Sequence, residues 1–291
     1  MSILLNQKTR VLVQGITGKI GSVQTHWMLD YGTNIVAGVT PGKGGANVEG
    51  VPVFDSVSEA VVATGAEAAV FFVPASFVLD AFFETVDAGI DLIVIVPEHL
   101  PVHDVMIMHD YLLRQTGRDI FVLGPTTPGI TTAGEAKMGI MPGSLFKPGK
   151  IGIISRSGTL AYEMTGILTD SGIGQSTVVG MGADPVALTS LANILKRYEE
   201  DPGTDAVVIV GEVGGVQEEQ AADYIKRMTK PVAAYIAGRF APEGKKMGHA
   251  GAIIRGTQGT VKSKCETLGA AGVTILDTPI DVLPWAKKTG H

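Results

Sequence analysis

Three observations predict a chain of two doubly wound α/β domains with largely parallel sheets. Short apolar runs alternate with longer amphipathic stretches from residue 10 to the end, the pattern of βαβ units. Runs such as DLIVIV and DAVVIVG are apolar without alternation, as strands covered by helices on both faces must be. The length, 291 residues, suits two domains at about 150 residues each.

The first half is predicted to hold strands at Arg10–Gln14, Asn34–Val39, Ala68–Val73, Asp91–Val96 and Ile120–Leu123, each a short β-branched run. Helices are expected between them at Gly21–Tyr31, Val57–Thr64, Phe77–Ala88 and Val102–Gln115. From Gly124 to Lys150 four prolines and six glycines stand with no clear period, so residues 124–149 read as the connection between a first domain (1–123) and a second (150–291). Strands are then expected at Ile151–Ser155, Ser176–Val179, Ala206–Gly211, Val232–Ile236 and Thr274–Leu276. Helices at Thr159–Ser171, Pro185–Tyr198, Glu218–Met228 and Ser263–Ala271 separate them.

Composition removes several function classes. With 45% apolar and 18% charged residues the chain is globular rather than disordered. No apolar run approaches the roughly 20 residues of a bilayer span, and the N-terminus lacks a basic region followed by a long apolar one, so a cytoplasmic protein without a membrane partner is expected. A net charge of -6 without a basic run argues against nucleic acid as a partner. The single cysteine, Cys265, excludes an internal disulfide and a cysteine-rich zinc site, and is given no role. Glycine at 38 positions is nearly twice its ordinary share of about 7%, which implies many tight turns and close backbone approaches. The low charge fits equally a surface covered by another subunit and a well-filled α/β core.

In doubly wound domains ligands bind at the carboxyl ends of the strands, so chemistry is sought in the loops there. After the first strand stands Gly15-Ile16-Thr17-Gly18-Lys19-Ile20-Gly21, a glycine turn opening a helix whose free N–H groups attract phosphate. Glycines serving only strand–helix packing would give the same pattern. The acidic residue that a dinucleotide site needs after the second strand is missing, and Gly42-Lys43-Gly44-Gly45 stands there instead. A lysine in that place suits an extra phosphate, as in NADP or coenzyme A, though a solvated lysine is the plain alternative. Val96-Pro97-Glu98 follows the fourth strand, where Glu98 either accepts from a ligand or caps the next helix.

The second domain opens on Ser155-Arg156-Ser157-Gly158-Thr159, a second strand, small polar loop and helix. Its hydroxyls and N–H groups either hold phosphate oxygens or cap the helix. No Walker loop is present. His249 stands between glycine and alanine near Lys245 and Lys246 with no neighbouring metal ligand, so no metal site is expected. An imidazole nitrogen attacks a phosphoryl group when a carboxylate steadies the other nitrogen. Glu212, at the end of its predicted strand, is the candidate for that carboxylate, and an inert surface histidine is the alternative.

Taken together GVTPGKGG, SRSGTL, GE-x-GG and MGHAGAII resemble, in order and spacing, the alpha subunits of the succinyl-CoA synthetase family. That resemblance implies a Rossmann-like domain binding coenzyme A as substrate, followed by a flavodoxin-like domain whose histidine is transiently phosphorylated. It further implies a beta subunit carrying an ATP-grasp site for ATP or GTP with magnesium, in a heterodimer or a dimer of heterodimers. Carried over residue by residue, Thr17, Gly18, Lys19, Ile20, Lys43, Val96, Pro97 and Glu98 would border CoA. His249 would be the phosphohistidine with Glu212 orienting it, Tyr162 would lie near a small dicarboxylic acid, and Ser155, Ser157 and Gly158 would hold the phosphoryl group.

Departures from the family pattern cluster around CoA and the acid. Thr126-Thr127 replaces Asn-Cys, His99 stands where a glycine is usual, Ala183 replaces a glycine, and Ile20 replaces glutamine or glutamate. The phosphohistidine segment is intact, so phosphoryl chemistry is the firmer expectation; the resemblance makes succinate the simplest acid, with malate or citrate ligation as alternatives. Two readings of other classes compete: an NADP-dependent oxidoreductase, which leaves the histidine segment unexplained, and a non-catalytic CoA-binding paralogue.

Overall fold

The computed structural model describes residues 2–242, 248, 249, 251–253 and 259–290. Lys245 and Lys246, singled out above, and Ile254 of the histidine motif lie outside the described residues. In the first half the strands are β1 (Val11–Gln14), β2 (Ile35–Val39), β3 (Asn47–Val48), β4 (Val51–Phe54), β5 (Ala68–Phe71), β6 (Leu92–Ile95) and β7 (Phe121–Leu123). Helices α1 (Lys19–Asp30), α2 (Val57–Thr64), α3 (Val78–Asp87) and α4 (Val102–Leu113) connect them. The sheet order is β3-β4-β2-β1-β5-β6-β7. All its pairings are parallel except β3 with β4. With the short β3 set aside, the parallel strands run 3-2-1-4-5-6 in chain order, the Rossmann arrangement.

The second half holds β8 (Gly129–Thr132), β9 (Ala136–Gly139), β10 (Pro148–Ser155), β11 (Gln175–Gly180), β12 (Ala206–Glu212), β13 (Val232–Ala237) and β14 (Thr274–Leu276). Its helices are α5 (Gly158–Asp170), α6 (Leu191–Glu200), α7 (Gln217–Ile225), α8 (Val261–Ala270) and α9 (Val282–Lys288). The order β14-β13-β12-β10-β11-β8-β9 places the parallel strands β10 to β14 as 2-1-3-4-5, the flavodoxin arrangement. The strands β6 and β12 are buried along their whole length, as their unbroken apolar runs require. Local chemistry sets helix ends: the Ser56 hydroxyl accepts from Glu59 N–H and Gly65, at φ +66°, closes α2.

Three stretches differ from expectation. The segment 124–149, read as the connection between the domains with no clear period, contains β8 and β9, an antiparallel hairpin on the edge of the second sheet. Its glycines mark close approach: a Cβ on Gly129 would lie 1.9 Å from the Met138 carbonyl oxygen. The strand β4 contains Pro52, which reads as a strand breaker; proline is accommodated near the sheet edge, where the partner strand β3 is only two residues long. The helix expected over Pro185–Tyr198 begins at Leu191, capped by Ser190. The residues before it cross to the first sheet, where Thr189 Oγ1 accepts from Val122 N–H at 2.8 Å and Leu188 joins the apolar cluster of that half.

The hairpin also stitches the halves together. Thr33 Oγ1 donates to the Lys137 carbonyl at 2.8 Å and accepts from the Lys137 N–H at 3.0 Å. Thr132 Oγ1 donates to the Leu5 carbonyl at 2.6 Å. One apolar cluster runs from Leu5, Val13 and Val70 through Ile130 and Met138 to Ile154 and Ile209. The Lys137 ammonium is buried in this seam with the Met141 carbonyl as its acceptor at 2.8 Å, and burial pushes its pKa down to about 8.

Candidate active site

Each sheet has a point where strand order reverses; Thr17 and Gly18 lie at the first, and Glu212 with its partner His249 at the second. In the first sheet the reversal lies between β1 and β5. There the chain leaves β1 through Gly15, held by its N–H to the Val39 carbonyl at 2.8 Å, and turns at Gly18, which caps α1 without a side chain. The first-turn N–H groups of α1 are left for an anion. A cleft of about 690 Å³ opens beside them, lined by Gly15, Thr17, Gly18, Thr40, Phe72 and Phe77 among others. Its apolar wall and glycine turn fit a ligand with an apolar body and phosphates. Glu84, also on its rim, is engaged by the Val57 N–H at 2.7 Å.

Of the residues expected around CoA, Thr17 and Gly18 line this cleft, and Thr17 Oγ1 donates to Thr40 Oγ1 at 3.1 Å. Lys19 and Ile20 open α1 and are exposed, and Lys43 stands on the exposed loop after β2. Val96, Pro97 and Glu98 follow β6 and lie outside the cleft lining. Phe72, Val73, Pro74 and Phe77 were not expected at the site; the apolar FFVPASF run after the third strand is the signal that marks them. Gly21 fixes the turn, since a Cβ there would lie 2.2 Å from the Gly15 carbonyl oxygen. Gly21→Ala is therefore expected to lower stability by about 1–3 kcal/mol and to weaken CoA binding, read by thermal unfolding and CoA titration; unchanged values in both would refute this role for Gly21.

In the second sheet the reversal lies between β10 and β12, whose ends carry Arg156 and Glu212. His249 Nδ1 is 2.7 Å from Glu212 Oε2. A carboxylate only accepts, so Nδ1 carries the hydrogen and the neutral ring keeps its lone pair on Nε2. The imidazole is 37% exposed while the Glu212 side chain is 8% exposed, so an anchored base faces an accessible ring. The hydrogen bond to Glu212 holds the imidazole pKa above the ordinary histidine value. Burial and the Arg156 charge act against this, and the negative charges of Glu212 and Glu98 act with it. Glu98 thus acts from the first half on the histidine of the second.

The hydroxyls of the second anion turn are occupied internally. Ser155 Oγ donates to the Ser157 carbonyl at 2.7 Å and accepts from the Ser157 N–H at 3.1 Å, and Ser157 Oγ caps α5 at Leu160 N–H. Main-chain N–H groups at Gly158 and beyond are what this turn offers an anion. Tyr162 sits half-buried on α5 against the apolar cluster behind β10, and burial pushes its hydroxyl pKa up. Among the described residues no hydrogen bond joins it to His249 or Glu212.

Two of the departures from the family pattern, Thr126 and Thr127, make hydrogen bonds within the fold. Thr126 Oγ1 donates to Asp184 Oδ2 at 2.5 Å and its N–H donates to the Pro97 carbonyl at 3.1 Å. Thr127 Oγ1 donates to the Gly180 carbonyl at 2.7 Å. His99 and Thr126 both adopt left-handed backbone, at φ +64° and +58°, which costs a residue bearing a Cβ on the order of 1–2 kcal/mol.

Two family models fit the two halves: a CoA binding domain over residues 6–99 and a CoA-ligase over residues 154–274. The first sheet is thus a CoA-binding domain, and the second belongs to an enzyme class that joins acids to thiols. Succinate--CoA ligase [ADP-forming] subunit alpha of Methanothermobacter thermautotrophicus is 56% identical over 95% of this chain and 93% of its own length. The equivalently named subunit of Aquifex aeolicus is 53% identical over 97% and 92%. The chain belongs to the succinate–CoA ligase alpha-subunit family. Among solved structures, Methanosaeta concilii ATP citrate lyase matches with a TM-score of 0.88 at 23% identity, covering 98% of this chain and 50% of that one. A Ca. Korarchaeum cryptofilum dinucleotide forming acetyl-coenzyme A synthetase matches at 0.77 and 23%, over 97% and 61%. The chain therefore spans about half to three fifths of those longer chains, and the likeness to them is one of fold.

Proposed function

We propose that this chain joins succinate to coenzyme A at the cost of ATP or GTP, with His249 as the transient phosphoryl carrier. The observation that carries the reading is the 2.7 Å contact between His249 Nδ1 and a buried Glu212 at the reversal point of the second sheet. Nε2 attacks the terminal phosphorus and the nucleoside diphosphate leaves. The acid carboxylate then takes the phosphoryl group from Nε2, and the CoA thiolate attacks the acyl carbon as phosphate departs. Phosphorylation of the carboxylate turns its oxygen, otherwise a poor leaving group, into phosphate, which the thiolate then displaces. Glu212 keeps Nδ1–H in place and balances the positive charge of the phosphorylated ring.

Thr17, Gly18, Lys19, Ile20 and Lys43 are assigned to CoA, with Val96, Pro97 and Glu98 closing the approach toward His249. The first turn of α5 at Ser157 and Gly158, supported by Ser155, receives the phosphoryl group, and Tyr162 is assigned to the acid. The boundaries 1–123, 124–149 and 150–291 remain the proposed division, with the hairpin counted as part of the second sheet. Nucleotide and magnesium are assigned to a beta subunit with an ATP-grasp site, in a heterodimer or a dimer of heterodimers, acting in the cytoplasm.

The test is transfer of label from terminally labelled ATP and GTP to His249 in the complex with its native partner, chased with CoA and succinate, malate or citrate in turn. Acid-labile label discharged by succinate with CoA is the expected result. Discharge by another acid renames the substrate, and a complex that takes no label overturns the phosphohistidine. Lys43→Ala is expected to weaken CoA binding by up to about fivefold, the effect of losing one exposed phosphate contact, without slowing label uptake. Calorimetric titration with CoA checks it, and unchanged affinity removes Lys43 from the site.

A further inference from the structure

We propose that Lys264 and Arg156 are positioning residues for His249 with separate tasks: Lys264 fixes the main chain that carries Glu212, and Arg156 limits the negative charge that Glu212 presents to the imidazole. The proposal rests on the phosphohistidine reading above.

Lys264 lies on α8 and is fully buried. Its ammonium meets three acceptors, the carbonyls of Glu212 and Gly214 at 2.8 Å each and Glu218 Oε2 at 2.5 Å, which uses all three of its donors. Burying an ammonium is costly, and replacing its whole ion pair with Glu218 by packed apolar residues would often serve stability as well, whereas removing the lysine alone leaves Glu218 buried without that partner. What the lysine adds is a hold on two carbonyls where the chain leaves β12 and turns through Gly214 and Gly215, at φ +87° and +63°. One of those carbonyls belongs to Glu212 itself. A shift of this strand end would swing the carboxylate away from Nδ1.

Arg156 reaches the same carboxylate from the end of β10. Its guanidinium donates to the Gly214 carbonyl at 2.7 Å and lies 3.7 Å from Glu212 Oε1 and 3.9 Å from Glu218 Oε1. Glu212 Oε1 is buried and makes no hydrogen bond among the described residues, so the Arg156 contact is one of charge alone. The guanidinium also lies beneath the segment bearing the histidine, since a Cβ on Gly251 would come within 2.8 Å of it.

The charged groups that face His249 are Glu212 from β12, Arg156 from the β10 end and Glu98 from the loop after β6, with Glu218 on α7 and Lys264 on α8 behind Glu212. Lys245, Lys246 and Arg255 lie outside the described residues. The Glu212 charge favours the protonated ring, whose Nε2 has no lone pair, and the Arg156 guanidinium, 3.7 Å from Glu212 Oε1, opposes it. Lys264 acts on the main chain: its three donors are taken by the Glu212 and Gly214 carbonyls and by Glu218, and none reaches the imidazole.

The two tasks separate in one experiment on the complex with its native partner: the pH dependence of label uptake by His249, alongside the NMR titration of its ring in the full chain. Arg156→Gln is expected to move the acid limb of uptake, and the ring's titration midpoint, to higher pH. Lys264→Met is expected to slow uptake about 10²-fold, as a misplacement of order 1 Å does, with the limb unmoved. Lys264→Arg keeps the charge but cannot place three donors on the same three acceptors; it is expected to fall between, and it carries the test should the methionine variant fail to fold. An unmoved limb and midpoint in Arg156→Gln, or wild-type uptake in folded Lys264 variants, overturns the proposal. A wild-type complex that takes no label overturns the phosphohistidine instead, and the ring titration still decides the role of Arg156.

Discussion

His249→Asn is expected to abolish both label uptake and ligation while CoA binding stays at the wild-type level. The change removes the only nitrogen that attacks phosphorus in the proposed sequence, and losing a nucleophile that acts as part of a unit costs on the order of 10⁶-fold in turnover. Asparagine is the informative replacement, because its amide still donates to Glu212 Oε2, now held at 2.7 Å by the ring, and the carboxylate is not stranded. The cleft proposed for CoA lies on the other sheet, so CoA affinity provides the control. Residual turnover near wild type in the labelled complex would sink the mechanism.

Glu212→Gln is expected to slow phosphoryl uptake by about 10⁴-fold, the loss found when a buried carboxylate that orients a catalytic histidine is replaced by its amide. The pH profile should move as well, and the sign follows from the ring. The hydrogen bond to Glu212 holds the imidazole pKa above its ordinary value, so wild-type uptake fails as pH falls through that raised value. With glutamine the value drops and the acid limb moves to lower pH, opposite to the shift expected for Arg156→Gln. Stability follows the same linkage: protonated His249 paired with Glu212 stabilises the fold fully below the unfolded pKa, about 6.5, and this contribution is lost as pH rises through the folded value. Denaturant titrations should therefore show a larger stability gap between wild type and Glu212→Gln at pH 6 than at pH 8. A constant gap would mean that the ion pair does not couple to folding.

The two sheets and the pairing of His249 with Glu212 were legible because they rest on local pattern. Unbroken apolar runs mark covered strands, and a glutamate at a strand end must lie at the ligand edge of such a sheet. The hairpin β8–β9 was not legible, since glycines that permit close crossing of two strands read in sequence as loop residues. The start of α6 was misplaced because residues 186–189 satisfy the first sheet rather than their own helix. Arg156 and Lys264 were passed over for a related reason. A basic residue in a polar loop, or on a helix with other polar residues, ordinarily faces water, and only tertiary packing reveals that these two are buried.

The seam between the halves sets where this chain can be divided. Sequence composition marks residues 124–149 as the natural place to cut, yet the strand there that borders the second sheet is also what the first half leans on through Thr33 and Met28. A fragment ending at residue 123 would bare the side of Leu5, Met28 and Val70 that now meets Ile130 and Met138, while the complementary fragment would bare those two residues and leave the Lys137 ammonium at an open edge. Each piece would present to solvent an apolar strip, a feature that invites aggregation. A shortened version of this protein for crystallisation or engineering would therefore have to carry residues 129–139 twice, once with each half, rather than divide the chain where its sequence looks loosest.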